Sequence, residues 1–278
     1  MTVTQITQQP MKPTRRHLRS QTVGQVVSAE VFRLRRAGGM LGGLVVAVSV
    51  GIAAGSVALI VLLLMAQDVA PVLMTTPLEL SATAAMMVVS LVTASASARD
   101  ASGQTAVALA LVPRRGRYWL GRSIAGVLLS VVSVLAACGP VLAACAVFGT
   151  GGRYLGAGFA VVLCAALASA FLGIFATGAG ALTRSPALAI LVLLGALVLV
   201  PVAASIVAEL LPRLIGAVIS GVSSAMPGNL AMDAVAISTI PARGVERILI
   251  GQLGLMAWAA AAAAVSWRIF GRRDAPAS

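Results

Sequence analysis

The sequence predicts an all-α integral membrane protein with six transmembrane helices. Three observations carry this reading. Of the 278 residues, 59% are hydrophobic and 10% are charged, against roughly 25% charged in a soluble domain. The apolar residues gather in runs that reach the about 20 residues needed to cross a bilayer. The net charge of +12, from 20 Lys+Arg against 8 Asp+Glu, falls between those runs. In a soluble chain such a charge would point to nucleic acid. Between apolar runs it reads as topology, and aromatics at 4% leave few platforms for stacking bases. The lipid bilayer is therefore an expected partner and nucleic acid is not. The same composition excludes a soluble globular enzyme, a disordered tail and a secreted disulfide scaffold. A transmembrane barrel is excluded because the runs are too long and do not alternate.

The chain opens with a polar stretch to about residue 21, containing Gln-Gln-Pro and Lys-Pro-Thr, expected to be a disordered cytosolic leader. The first apolar run follows 39 residues and is far longer than a signal h-region, so no cleavable secretory signal is expected. In Thr22–Arg36, Val23, Val26, Val27, Val31 and Leu34 recur at three- and four-residue spacing, which predicts an amphipathic helix. Its arginines would hold it in the interface plane beside anionic headgroups. An ordinary basic anchor before the first span is the alternative.

Charges then cut the chain into seven uncharged stretches of at least 19 residues: 37–67, 80–98, 123–152, 154–183, 185–208, 214–232 and 248–267. Six read as spans, at about 40–66, 80–98, 123–148, 155–182, 187–208 and 248–267. The stretch 214–232 contains Pro227-Gly228-Asn229, a turn signal. Its unbroken part, Leu214 to Met226, has the length of a re-entrant or interfacial segment. With six spans and both termini in the cytoplasm, sixteen basic residues lie inside and four outside. The four are Arg153, Arg213, Arg243 and Arg247. Counting 214–232 as a span would put the Arg-rich tail outside, and dropping 80–98 would do the same to Arg114, Arg115 and Arg117. Both fit the positive-inside rule worse. The expected location is the cell membrane.

The loop 99–122 reads RDASGQTAVALALVPRRGRYWLGR. Asp100 or Ser102 can cap a short helix through Leu111, which Pro113 would stop. Tyr118 and Trp119 stand where interfacial aromatics sit. A short helix in the cytosol, parallel to the membrane, can dock into a partner's groove. The alternative is that Arg114, Arg115 and Arg117 only set topology.

At this loop the chain resembles the permease subunits of the ABC-2 type family of ABC transporters, in particular actinobacterial members. The residues that carry the resemblance are Gly103-Gln104-Thr105, then Ala110-Leu111-Val112-Pro113-Arg114-Arg115-Gly116-Arg117. Met226-Pro227-Gly228-Asn229 before the last span and Arg272-Arg273-Asp274-Ala275 after it extend the likeness. It covers the chain from about residue 22, as one permease domain over 22–278. The resemblance implies that 22–36 is an interfacial connecting helix and that 100–111 is a coupling helix docking on a cytosolic ATPase. It also implies that 210–232 is an extracellular re-entrant hairpin. Asp100, Gly103, Gln104, Thr105, Arg114, Arg115 and Arg117 would then couple the chain to that ATPase. Many relatives have an acidic pair directly ahead of Gly-Thr. Here Asp100 stands three residues before Gly103, and Gln104 separates Gly103 from Thr105.

Several chemistries lack their residues. A P-loop needs a lysine that reaches the phosphates, and the one lysine is Lys12 in the leader. No cofactor is expected in this chain. ATP and Mg would belong to a separate ATPase subunit. The one histidine is His17, also in the leader, so an intramembrane Ser–His dyad or His-Glu-x-x-His zinc site has no histidine to use. No Asp or Glu falls inside an expected span, which weakens a proton-coupled carrier. Cys138, Cys145 and Cys164 are isolated and read as small apolar packing groups.

Within the spans, Gly39, Gly43, Gly51 and Gly55 form two small-xxx-small pairs. These suit a dimer interface with a second permease copy or paralogue, or packing within the chain. Thr83, Ser90, Thr93 and Ser97 fall in one helical stripe. They can line a translocation path or hydrogen-bond between helices. Pro201 predicts a kink in the fifth span. Three functions follow as expectations. The first is the permease of an ATP-driven exporter of a hydrophobic or amphiphilic substrate, such as a drug, antibiotic, peptide or lipid. The others are a membrane anchor or sensor that recruits a cytosolic partner, and an ion-coupled secondary carrier.

Overall fold

A computed structural model of the chain describes residues 22–36, 38–65, 75–103, 115–148, 155–211, 213–237 and 244–273. Among them every regular element is helical. In chain order these are α1 (Val23–Arg36), α2 (Gly38–Met65), α3 (Thr76–Gly103), α4 (Arg115–Phe148) and α5 (Leu155–Thr183). Then come α6 (Pro186–Leu194), a π-helical turn (Gly195–Leu199), α7 (Val200–Leu210), α8 (Arg213–Ser224), α9 (Pro227–Asp233) and α10 (Gly244–Arg273).

Six segments are long and apolar enough to cross a membrane: Met40–Met65, Thr76–Arg99, Tyr118–Phe148, Leu155–Thr183, Pro186–Leu210 and Val245–Ile269. They are the six expected from the charge pattern. Their outer faces are covered with large aliphatic groups, among them Leu64 (81% exposed) and Leu163 (70%). Water tolerates few contiguous apolar patches of that kind, whereas lipid solvates them.

Helix α3 is the central element, packed against α2, α4, α5 and α6. Its buried residues come in pairs every four positions: 77–78, 81–82, 85–86, 89–90, 93–94 and 97–98. A four-residue step overshoots the helical turn by about 40°. The buried stripe therefore winds about 200° around α3 along its length, which brings successive neighbours against one helix. Most of the stripe is small (Ala82, Ala85, Ala94, Ala98), so backbones approach closely. In lipid that close packing supplies the association energy.

Three local expectations are corrected. Helix α3 runs through Gly103, so Asp100 and Ser102 lie inside its last turn, and the expected helix from there through Leu111 falls largely outside the described residues. Helix α4 begins at Arg115, which places Arg115, Arg117 and Arg122 on helix rather than loop. Tyr118 is 2% exposed and sits in the protein interior, because α1 and α10 close over the start of α4. The expected kink at Pro201 takes the form of a π turn just before it. Proline has no N–H for the carbonyl four residues back, and its ring crowds that carbonyl. The wider turn relieves both.

Candidate functional site

The most elaborated region surrounds α8 and α9, a bent helix pair packed along α7 and α10. Its two arms, Ile215–Ser224 and Pro227–Asp233, bend by 71° at the turn. Pro227 starts the second arm at a position that needs no N–H. Two contacts measure how deep the turn reaches. Trp258 Nε1 donates to the Ala225 carbonyl at 2.9 Å, and Trp258 lies 13 residues along α10 from Val245. Gly228 packs on the Leu197 backbone, and Leu197 lies 13 residues before Leu210. At the helical rise both place the turn about 20 Å along from the ends of α7 and α10. Irregular backbone within an apolar layer has to be enclosed by protein or line a cavity. Ser223 Oγ accordingly donates to the Pro201 carbonyl at 3.2 Å. Asn229 Nδ2 donates to the Ser223 carbonyl at 2.8 Å and lies 3.1 Å from its Oγ.

Glycine is required at two points of this docking. A Cβ on Gly228 would lie 1.8 Å from the Leu197 oxygen. Leu197 is the residue four before Pro201, whose carbonyl the proline cannot serve. A Cβ on Gly251 would lie 2.5 Å from the Ala234 nitrogen, so α10 also admits the second arm only where it lacks a side chain. Gln252 ties the same level together: its Nε2 donates to the Cys164 carbonyl at 2.9 Å and the Ala234 carbonyl at 3.3 Å. Trp258 is held from its other side by Phe175, edge-to-face at 5.8 Å.

Between the hairpin and α10 runs an open groove of about 750 Å³. Leu230 and Asp233 of α9, Ser224 and Ala225 at the turn, and Ile250, Leu253, Ala257, Trp258 and Ala261 of α10 line it. Asp233 is the one ionisable residue in the lining. Burial pushes its carboxyl above the usual carboxylate range, and the charge of Arg247 pulls it partly back.

A second polar cluster lies at the opposite end of the bundle, where α3, α4 and α5 approach the 104–114 connection. Glu30 of α1 and Arg122 of α4 are 6% and 8% exposed. Both line one small cavity with Thr93, Ser97 and Thr177. Arg122 donates to the Ser97 carbonyl, and Thr177 Oγ1 donates to the Gly173 carbonyl at 2.8 Å. Val26 fits over Gly121 and sets the depth at which α1 meets α4. Nearby, Trp119 and Trp267 meet edge-to-face at 5.7 Å, joining the start of α4 to the end of α10. Among the described residues, no group of three or more His, Cys, Asp or Glu could hold a metal ion.

The residues named from sequence fall as follows. Asp100 and Gly103 end α3, and Arg115 and Arg117 begin α4; Gln104, Thr105 and Arg114 lie outside the described residues. In the α3 stripe Ser90, Thr93 and Ser97 are buried and Thr83 is half-buried. Ser90 Oγ donates to the Met86 carbonyl of its own helix at 2.7 Å. Gly43, Gly51 and Gly55 pack within the chain, against Val92, Ala137 and Val141 respectively, the second of the two uses open to them; Gly39 is on α2. Sequence reasoning missed Glu30. Its signal was an acid four residues after Val26, on the apolar side of α1. It also missed Asp233, Gln252 and Trp258, which nothing short of the hairpin's fold connects. Compared with known proteins, the chain matches no family model and no curated protein.

Proposed function

We propose that the chain is the permease subunit of an ATP-driven ABC-2 type transporter that exports a hydrophobic or amphiphilic substrate. The observation that carries this reading is the hairpin Arg213–Ser224/Pro227–Asp233, bent at the Met226-Pro227-Gly228-Asn229 motif, ahead of the last of six apolar helices. In this reading the hairpin is extracellular and re-entrant, α1 is an interfacial connecting helix, and both termini are cytoplasmic. A separate ATPase subunit binds ATP and Mg. A second permease copy or paralogue completes the path.

The connection between α3 and α4 transmits force. Asp100, Gly103, Gln104 and Thr105 meet the ATPase, and Arg114, Arg115 and Arg117 hold the loop at the headgroups. Because α3 is packed on four other helices, a push at its cytosolic end reaches the whole bundle. Arg122 joins the first turns of α4 to the end of α3, so the two helices flanking the loop move together. Reversing the charges of Arg114 and Arg115 should reduce ATP-dependent transport in vesicles while leaving expression intact. Unchanged transport would refute their role. A tagged chain that never retains an ATPase in mild detergent would count against the whole reading.

A further inference from the structure

We infer that the groove between the hairpin and α10 is a binding site for a cationic amphiphile, a single apolar chain carrying an ammonium or amidinium head. This deepens the export reading by naming the chemistry of a cargo, and rests on that reading for its purpose; binding itself needs no ATPase.

The polarity of the groove is graded along α10. Asp233 stands at the level of Gly251, which is six residues from Val245, or about 9 Å in from the helix end. Beyond it Leu253, Ala257 and Ala261 lead inward without a charge, over a length of about 15 Å. An amphiphile enters a bilayer in the same orientation, head at the surface and chain along the lipid tails. The volume, about 750 Å³, lies within the roughly 300–1,000 Å³ of small-molecule sites. Charge selects the head group. A half-buried carboxylate is costly unless cations or hydrogen bonds compensate it, and Arg247 compensates Asp233 only in part. A neutral lipid chain gives Asp233 nothing, and an anionic head is repelled. Trp258 forms part of the apolar floor, fixed by its bond to Ala225, and so reports on what enters.

The test uses the full chain in phosphatidylcholine nanodiscs, with W119F and W267F leaving Trp258 as the sole indole. Two quenchers of equal chain length, ω-bromododecyltrimethylammonium and ω-bromododecyl sulfate, are titrated below their micelle concentrations. The expected result is saturable quenching, with the cation binding at least ten-fold more tightly. D233N should abolish the difference and D233E keep it, with melting curves confirming that both variants are folded. W258F, with Trp119 and Trp267 retained, reads bulk partition and should not saturate. The inference is overturned if both amphiphiles quench Trp258 alike or without saturation, or if folded D233N keeps the preference. It is equally overturned if brominated phosphatidylcholine quenches as deeply, which would make the occupant a lipid chain. Exclusion of every quencher from a chain that elutes as a dimer would make the occupant a second copy. If an ATPase co-purifies but the cation shows no preference, only this inference falls. If the preference stands but no ATPase is ever retained, the groove survives and the export reading falls.

Discussion

Single residues set the tightest constraints in this bundle. Gly228 faces a backbone oxygen that cannot move away without unwinding the π turn. G228A should therefore cost on the order of 3 kcal/mol, seen as a lower melting temperature in detergent and a red-shifted Trp258 emission. An unchanged melt would show that the hairpin tip has room. At the other end, Glu30 and Arg122 share one cavity wall. Both are buried, and changing a buried polar group that shares a cavity with another costs on the order of 1–3 kcal/mol. E30Q and R122Q should each destabilise, and the double variant should lose less than their sum; strict additivity would separate the two groups. Arg184 closes α5 with a φ of 54°, a conformation that costs a side chain roughly 1–2 kcal/mol. R184G should melt slightly higher and R184V lower. Asp233 offers a pH test. Arg247 favours its ionised form, so R247A should raise its pKa further. Cation-selective quenching of Trp258 should then fade at a higher pH on acidification than in the native chain.

At the scale of elements, the sequence disclosed lengths better than faces. Spans were legible because charge is sparse in the apolar layer: seven uncharged stretches included the cores of all six, and the Pro-Gly-Asn turn and the charge bias set the seventh aside. The faces were not. The hydroxyls of α3 were grouped on a stripe of fixed direction. The buried stripe instead winds around the helix, and Ser90 and Thr93 end inside the bundle. The α1 periodicity was readable, but Glu30 on its buried side was not, because an acid opposite a buried arginine makes sense only once α4 is in place. The hairpin's turn was legible from Pro-Gly-Asn. Its depth was not, since that depends on carbonyls of α7 and glycines of α10 far away in the chain.

For the whole molecule, the decisive arrangement is the separation of two polar centres at opposite ends of one apolar bundle. In the proposed topology the Glu30/Arg122 end faces the cytosol. That orientation is tested with single cysteines, after Cys138, Cys145 and Cys164 are replaced by alanine. Introduced at Gln67 or Ser238, a cysteine should react with an impermeant maleimide added to intact cells; at Gln104 or Ser278 it should react only after lysis. The reverse pattern would invert the molecule and place the groove on the cytosolic side.

The π turn has a further consequence, in register. It holds one residue more than an α-helix needs, so the helix after Leu199 is rotated by about 100° relative to an uninterrupted rod. Deleting a single residue within 195–199 would repair the helix and turn Pro201 and its neighbours away from the hairpin. That deletion keeps the span long enough to cross the membrane and alters no charge. It acts as a frameshift of the surface alone, dividing the fifth span into an inner half set by the bundle and an outer half set by the hairpin.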